Sequence, residues 1–187
     1  MLFDLPKSLE VGGKSWDIRT DYRDILTIIT AIEDVNLENN EKVYVCLYGM
    51  YIDFDDMPES LYEEAFNVAM KFIDHNSGDD QKPQNKKNMD WEQDANLLFP
   101  AVNRVAGFEV RTVDYMHWWT FLGYFMEITD GVYSTVLSLR HKRNKHEKLE
   151  KWEEKWWKEN KSICEIKTRY TDSEKEEQDR LKALLGG

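Results

Sequence analysis

The chain has 187 residues, of which 41% are hydrophobic and 33% charged, and its formal net charge is -11. Its 13% share of aromatic residues is too high for a disordered chain, so we expect one or two small folded domains. The negative charge repels phosphate backbones and anionic lipid, which argues against nucleic acid and membrane surfaces as partners of the whole molecule.

The N-terminal region predicts a β-hairpin followed by a helix. Residues 8–20, "SLEVGGKSWDIRT", form two short alternating segments around Gly12 and Gly13, a dipeptide that suits a tight hairpin turn. Asp21 is placed to cap the helix, whose isoleucines recur at helical spacing until it ends near Asn36.

Two more helices are expected before residue 78. One spans residues 40–51, and the other follows Pro58, because proline suits the first turn of a helix. The acidic stretch "DFDDMPE" at residues 53–59 lacks the glycine and the alternating oxygen ligands of a calcium loop. We interpret it as a solvated turn.

The stretch at residues 78–90, "GDDQKPQNKKNMD", is polar except for Met89 and has no apolar periodicity, which predicts a flexible linker. It divides the chain into four predicted parts. These are residues 1–77 (the hairpin and a three-helix module), 78–90 (the linker), 91–170 (an aromatic-rich helical module) and 171–187 (an exposed C-terminal helix).

The second module begins with a helix that Asp90 is expected to cap. Pro100 should kink or break this helix, and Gly107 suits the left-handed residue that ends it. The whole pattern predicts a mainly α fold that carries a short N-terminal β-hairpin and has two helical modules joined by a polar linker.

Three helical segments are expected after residue 112. Thr112 is expected to cap a helix at residues 113–128 that Gly131 ends, and residues 132–142 are expected to form the next helix. Residues 144–163 are dense in charge but place apolar side chains three, four and seven residues apart, which predicts one amphipathic helix.

The run "YMHWWTFLGYF" at residues 115–125 is almost free of charge. On a helix, its aromatic residues cover most of the circumference, so neighbouring elements must cover the helix on several faces. A central core helix is the favoured interpretation, and a partner-binding groove is the alternative, since tryptophan and tyrosine concentrate binding energy at interfaces. His117 is expected to be a core histidine with one ring nitrogen bonded to a backbone carbonyl.

No pattern in the sequence points to catalysis or to a cofactor. Cys46 and Cys164 form no metal-ligand spacing, and the sequence has no glycine-rich phosphate loop, GxSxG motif or zinc pattern. We therefore expect a protein that is not an enzyme. The N-terminal residues do not resemble a signal peptide, and no uncharged stretch reaches 18 residues, so we expect no membrane span.

The basic stretch "RHKRNKHEKLEKWEEKWWKE" places lysines and arginines beside tryptophans, as in sites that bind phosphates and stacked bases. Acidic residues interspersed from Glu147 onward favour a solvated helix with an apolar stripe. A phosphate-binding or nucleic-acid module at residues 140–161 stays open as an alternative.

Four blocks of the sequence, taken in their order, resemble one protein family. They are "LPKSLEVGGKSWDIRTDYRD" near the N-terminus, "DWEQDANLLFPAVNRVAGFEV", "MHWWTFLGYF" and the basic "LRHKRNKHEKLEKWEEKWWKE". Together they are similar to the tail assembly chaperone family of long-tailed bacteriophages of Gram-positive hosts, whose gene lies between those of the major tail protein and the tape measure protein. The similarity covers roughly residues 5–165.

The resemblance implies a non-catalytic protein that coats the tape measure protein in the host cytoplasm and leaves before the virion is complete. It also allows the major tail protein, a second tail assembly chaperone and another copy of the chain as partners. A structural head-tail or tail component that stays in the virion is the alternative. The expected partner-binding residues are Trp118, Trp119, Phe121 and Phe125, as the core behind a groove, and Trp152, Trp156 and Trp157, as more exposed contacts.

Overall fold

The computed structural model describes residues 4–75 and 87–184. Over these residues the fold is mainly α with one antiparallel two-stranded sheet, which confirms the predicted fold class. In chain order, the elements are β1 (Ser8–Val11), β2 (Lys14–Asp17), α1 (Tyr22–Ile32), α2 (Asn39–Met50), α3 (Tyr62–Ile73), α4 (Ala95–Ala106), α5 (Trp118–Met126), α6 (Gly131–Asn144), α7 (Lys151–Glu159), α8 (Lys161–Cys164) and α9 (Asp172–Leu184). Three single-turn 3-10 helices, at Phe54–Asp56, Glu59–Leu61 and Val110–Thr112, complete the list.

The predicted hairpin is confirmed with its turn at the glycine pair. Val11 pairs with Lys14, and Gly12 and Gly13 between them have φ angles of 59° and 73°, which glycine adopts without the steric cost of a Cβ atom. Val11 and Trp16 are buried, so the hairpin covers one side of the helical core.

The first three predicted helices are present, but two of their ends differ from the prediction. Helix α1 ends at Ile32, four residues before the predicted end near Asn36. Pro58 precedes a 3-10 turn at Glu59–Leu61, and α3 itself begins at Tyr62. Asp21 caps α1 by accepting a hydrogen bond from the Arg23 backbone. Helices α1 and α2 pack closely at Gly49, where an added Cβ atom would lie 2.8 Å from the Ile28 side chain. Just after α2, the Tyr51 hydroxyl donates a hydrogen bond of 2.8 Å to the Ala65 carbonyl of α3.

Helix α4 begins later than predicted. Asp90 accepts hydrogen bonds from the Glu92 and Gln93 backbones, so it caps a turn, and the helix itself begins at Ala95. The helix continues through Pro100, so the predicted break does not occur there. The prediction for Gly107 is confirmed, since its φ angle of 80° is left-handed and its N–H bonds to the Asn103 carbonyl.

The predicted start of the aromatic helix at residue 113, with Thr112 as its cap, is wrong. Residues 114–117 are not helical because their backbone pairs with the segment before α1: the Tyr22 N–H bonds to the Met116 carbonyl, and Trp118 N–H bonds to the Thr20 carbonyl. Helix α5 therefore begins at Trp118. Gly131 does not end this helix but is the first residue of α6.

The C-terminal amphipathic helix is shorter and interrupted. In place of one helix at residues 144–163, the structure has α7 and the single turn α8. Leu149 lies before α7 and not on it. The exposed C-terminal helix is confirmed by α9, whose described side chains are exposed except for that of Gln178.

The described residues of both predicted modules contribute to one large core, so they do not form separate cores. Trp118, for example, lies in the same buried cluster as residues of α1 and α3. A smaller cluster holds Val136, Leu139, Leu149, Trp157 and Cys164. Of the predicted linker, residues 87–90 pack against the helices, with Asp90 only 3% exposed, so this end is not a flexible linker. The rest of the linker falls in residues 76–86, outside the described residues.

Candidate partner-binding surfaces

A cleft of about 610 Å³ lies between α1, α3 and α5, and we call it the aromatic cleft. Its lining is mostly apolar, and its polar members are one glutamate, one aspartate and one histidine. The lining residues are Ile29, Ile32, Glu33, Met70, Ile73, Asp74, His75, Met89, Trp91, Trp118, Leu122, Phe125 and Met126. A concave apolar surface bounded by helices is the geometry that receives the apolar stripe of another helix.

The two adjacent tryptophans join α5 to the end of α3. The indole of Trp118 donates a hydrogen bond of 2.9 Å to the Ile73 carbonyl, and the indole of Trp119 donates one of 2.9 Å to the Phe72 carbonyl. The last carbonyls of a helix lack the partner one turn further on, and the indole of Trp118 supplies a donor to that of Ile73. The Phe72 carbonyl also accepts from the His75 N–H, so the indole of Trp119 adds a second donor there. Trp118 and Trp119 therefore fix the two walls of the cleft relative to each other.

The two predicted phenylalanines have different positions. Phe121 is fully buried and stacks on Tyr22 with ring centroids 4.4 Å apart, which confirms it as core. Phe125 lines the cleft and contacts Trp91 at 5.1 Å. All four residues were expected as the core behind a groove. Trp118 and Phe125 instead line the cleft, whereas Trp119 and Phe121 are not part of its lining.

Three methionines of the cleft were not predicted. Met70 is on α3, Met89 falls in the predicted linker, and Met126 ends α5 with 66% of its surface exposed. Methionine side chains are unbranched and polarisable, so a surface that contains several of them can adapt to partners of different shape. Their separation along the sequence explains why no local pattern revealed them.

His117 is a packed residue, as predicted. It is 3% exposed, its Nε2 lies 2.9 Å from the Pro6 carbonyl, and its Nδ1 accepts a hydrogen bond from the Trp119 backbone. This geometry requires a neutral ring with the proton on Nε2. Burial lowers the pKa of His117 below its ordinary value, although the hydrogen bond to Pro6 opposes the shift. The ring caps α5.

The three C-terminal tryptophans differ in exposure. Trp152 is 61% exposed, as expected for a contact residue, and Trp156 is partly buried. The expectation that Trp157 is exposed is wrong, because it is only 7% exposed in the smaller cluster. The Arg143 guanidinium also lies 4.1 Å from the centre of its ring, where the cation covers the indole face.

The basic stretch contains one arginine that is part of the interior. The Arg140 side chain is 5% exposed and forms a bidentate ion pair with Asp94, at 2.6 and 2.8 Å. It also donates to the carbonyls of Asn88, Ile163 and Cys164. Five hydrogen bonds occupy the guanidinium, so Arg140 is not available to a phosphate group in this structure.

A second ion pair holds the segment after α8. Arg169 bonds to both carboxylate oxygens of Asp90, at 2.8 and 3.0 Å. Burial alone would raise the pKa of Asp90, but hydrogen bonds from the Gln93 backbone and Arg169 outweigh it and lower that pKa. The segment between α8 and α9 is thus tied to the turn that precedes α4.

The two cysteines are buried and reduced, and burial raises the pKa of Cys46 to about 12. Among the described residues, no cluster of histidine, cysteine, aspartate and glutamate is arranged to hold a metal ion. None of the helices found in residues 4–75 and 87–184 combines the length and the apolarity that a membrane crossing requires.

Comparison with known proteins identifies the family. No curated protein and no solved structure matches the chain. The bacteriophage Gp15 protein family matches residues 2–171, which is most of the chain and includes every element that lines the aromatic cleft. The chain therefore belongs to the bacteriophage Gp15 protein family.

Proposed function

We propose that this phage protein is a tail assembly chaperone of a long-tailed phage of a Gram-positive host. In this proposal it binds the tape measure protein in the host cytoplasm, keeps it soluble during tail assembly and leaves before the virion is complete. The aromatic cleft is the observation that carries the proposal, and membership of a phage protein family is consistent with it. The proposed role involves no catalytic step and no cofactor.

The expected client explains why such a cleft is useful. A tape measure protein of the kind that the resemblance implies is a long, largely helical chain, and its apolar stripes would associate with one another if they were bare. A cleft between three helices can cover a few side chains of such a stripe. Burying each large apolar side chain contributes about 2 kcal/mol, before the cost of ordering the client.

Two further properties fit this role. The methionines of the cleft, including the exposed Met126, allow it to accept many different segments of a long client rather than one. The net charge of -11 keeps a loaded complex in solution, because charged particles of one sign repel each other.

Co-expression with the tape measure protein of the same phage tests the proposal. We expect the wild-type chain to raise the soluble fraction of the client, and the substitution Met126→Glu to abolish much of that gain by placing a charge in the cleft. Val132→Glu is the matched control, because Val132 is 52% exposed and lies outside the cleft. Unchanged client solubility with the wild-type chain, or equal loss with both variants, would refute the proposed site.

Mass spectrometry of purified virions separates the proposal from its alternative. A chaperone is expected to be missing from the finished particle. A structural head-tail or tail component would be found there in fixed ratio to the major tail protein, and that result would replace the proposed function.

A further inference from the structure

Helix α2 leaves an aromatic surface in solvent, which we call the tyrosine face. It consists of Tyr44, Tyr48 and Ile52, which are 53%, 57% and 53% exposed. The two tyrosines are four residues apart, so they lie on the same side of the helix. Neither belongs to the aromatic cleft, and the proposed function makes no use of them.

The tyrosine rings are held in place before any partner arrives. They stack on each other with centroids 6.2 Å apart and an interplanar angle of 8°. The buried ring of Phe54 meets them edge-on, at 5.4 Å from Tyr44 and 6.3 Å from Tyr48. Rigid, exposed aromatic side chains lose little conformational entropy on binding, which is why they are frequent among the residues that dominate interface energy.

Most of the charges beside the tyrosine face are negative, and the exception is Arg19, whose guanidinium donates hydrogen bonds to the carbonyls of Tyr48 and Tyr51. Asp53, Asp55 and Asp56 flank the buried Phe54 in sequence, and all three are exposed. Glu41, one helical turn before Tyr44, is exposed as well. A partner that matches this surface must therefore combine aromatic or apolar side chains with positive charge.

The same chain carries a surface of that kind, which we call the tryptophan face. It is centred on Trp152 of α7, which is 61% exposed, with Lys151 beside it and Lys155 and Trp156 one turn further on. Lys155 is 77% exposed and forms a long ion pair of 3.8 Å with Glu159, which is 59% exposed. Glu154 is exposed on the same helix, so the positive charge of this face is confined to Lys151 and Lys155 next to Trp152. Helix α2 packs in the larger core and α7 in the smaller cluster, so the two faces belong to different parts of the molecule.

We propose that the tyrosine face of one copy binds the tryptophan face of a second copy. The contact joins two different surfaces, so copies add head to tail, and the assembly either closes into a ring or continues as a filament. Every copy carries a charge of -11, which opposes association at long range. At physiological ionic strength this repulsion is screened beyond about 8 Å, whereas contacts within the interface persist.

Two variants, each with one altered face, test this inference with the full chain. The first, Tyr48→Ala with Asp55→Lys, alters only the tyrosine face. The second, Trp152→Ala with Lys155→Glu, alters only the tryptophan face. Val132→Ala is the control, because it removes an exposed apolar side chain away from both faces. Circular dichroism confirms that each variant is folded, and sedimentation velocity over a range of concentrations measures association.

The wild-type chain and the control are expected to show a mass that rises with concentration beyond that of a dimer. Each face variant alone should remain at the monomer mass of 22.3 kDa under the same conditions, with a dissociation constant at least about tenfold higher. An equal mixture of the two variants should form a particle of twice the monomer mass and nothing larger, because it retains one intact pair of faces. A monomeric wild type, a wild-type dimer that grows no further, or a mixture that fails to pair would overturn the inference.

Discussion

The buried ion pair between Arg140 and Asp94 makes the most direct prediction of stability. The substitution Asp94→Asn keeps the shape of the side chain and removes its charge. The Arg140 cation would then stay in a site where the two side chains are only 5% and 3% exposed. The amide nitrogen of asparagine is a hydrogen-bond donor, so one guanidinium N–H of Arg140 would then face another donor and not an acceptor.

The expected loss is set by what Arg140 retains. Removing one partner of a buried ion pair usually costs about 3–5 kcal/mol. Arg140 would keep its hydrogen bonds to three backbone carbonyls, so we expect the lower end, about 3 kcal/mol. A domain has a free energy of unfolding of about 5–15 kcal/mol, so the variant should still fold.

Urea unfolding followed by tryptophan fluorescence measures this loss. With a slope of about 2 kcal/mol per molar urea, the midpoint should fall by about 1.5 M without a change in slope. Lys155→Met is the control, because its pair with Glu159 is long and exposed, and we expect a change of at most about 0.5 kcal/mol. A loss below about 1 kcal/mol for Asp94→Asn would refute the claim that this pair is held in a dry interior.

Three further predictions concern single side chains. His117→Asn should flatten the dependence of stability on pH, since asparagine can also cap α5. As the pH falls, the unfolded wild-type chain takes up a proton on this histidine before the folded chain does. The contribution of His117 to stability is therefore complete above about pH 6.5 and is lost as the pH drops below it. If the unfolding free energies of the wild type and the variant changed equally between about pH 5.0 and 6.5, this prediction would be contradicted. Tyr133→Phe should be neutral or stabilising, because no group among the described residues bonds to that buried hydroxyl. Tyr51→Phe should destabilise the protein by about 1 kcal/mol, because it removes the hydrogen bond to Ala65. Thermal unfolding compares the two variants, and equal losses of stability would contradict the prediction. Gly123→Ala should stabilise the protein by about 1 kcal/mol, since alanine favours the helix and open space surrounds the position. Gly49→Ala should destabilise the protein, because the added methyl group would crowd Ile28 of α1. Urea midpoints that move in the same direction for both variants would show the reasoning to be wrong.

The first three helices and the hairpin could be predicted because local patterns determine them. The isoleucines of α1 recur at helical spacing, and the glycine pair between β1 and β2 adopts the backbone angles that the tight turn requires. In these elements, local preference and the packing of the fold agree.

The predicted start of α5 was wrong because a contact between distant parts of the sequence determines it. Residues 114–117 have helical periodicity, but their backbone bonds to the segment before α1, about 95 residues earlier, and His117 provides the cap. Trp157 is similar, because the cation that covers it comes from α6, across the loop that precedes α7. The aromatic cleft required three helices that are far apart in sequence, so only Trp118 and Phe125 of its lining were predicted as binding residues.

The two thiols provide built-in reporters of how the molecule opens. Cys46 lies in the larger core and Cys164 in the smaller cluster, and both are 0% exposed. A thiol-specific reagent can modify either one only after its surroundings have opened. Labelling rates of the Cys46→Ala and Cys164→Ala variants would therefore reveal whether the two clusters come apart in one event or whether the C-terminal part detaches first.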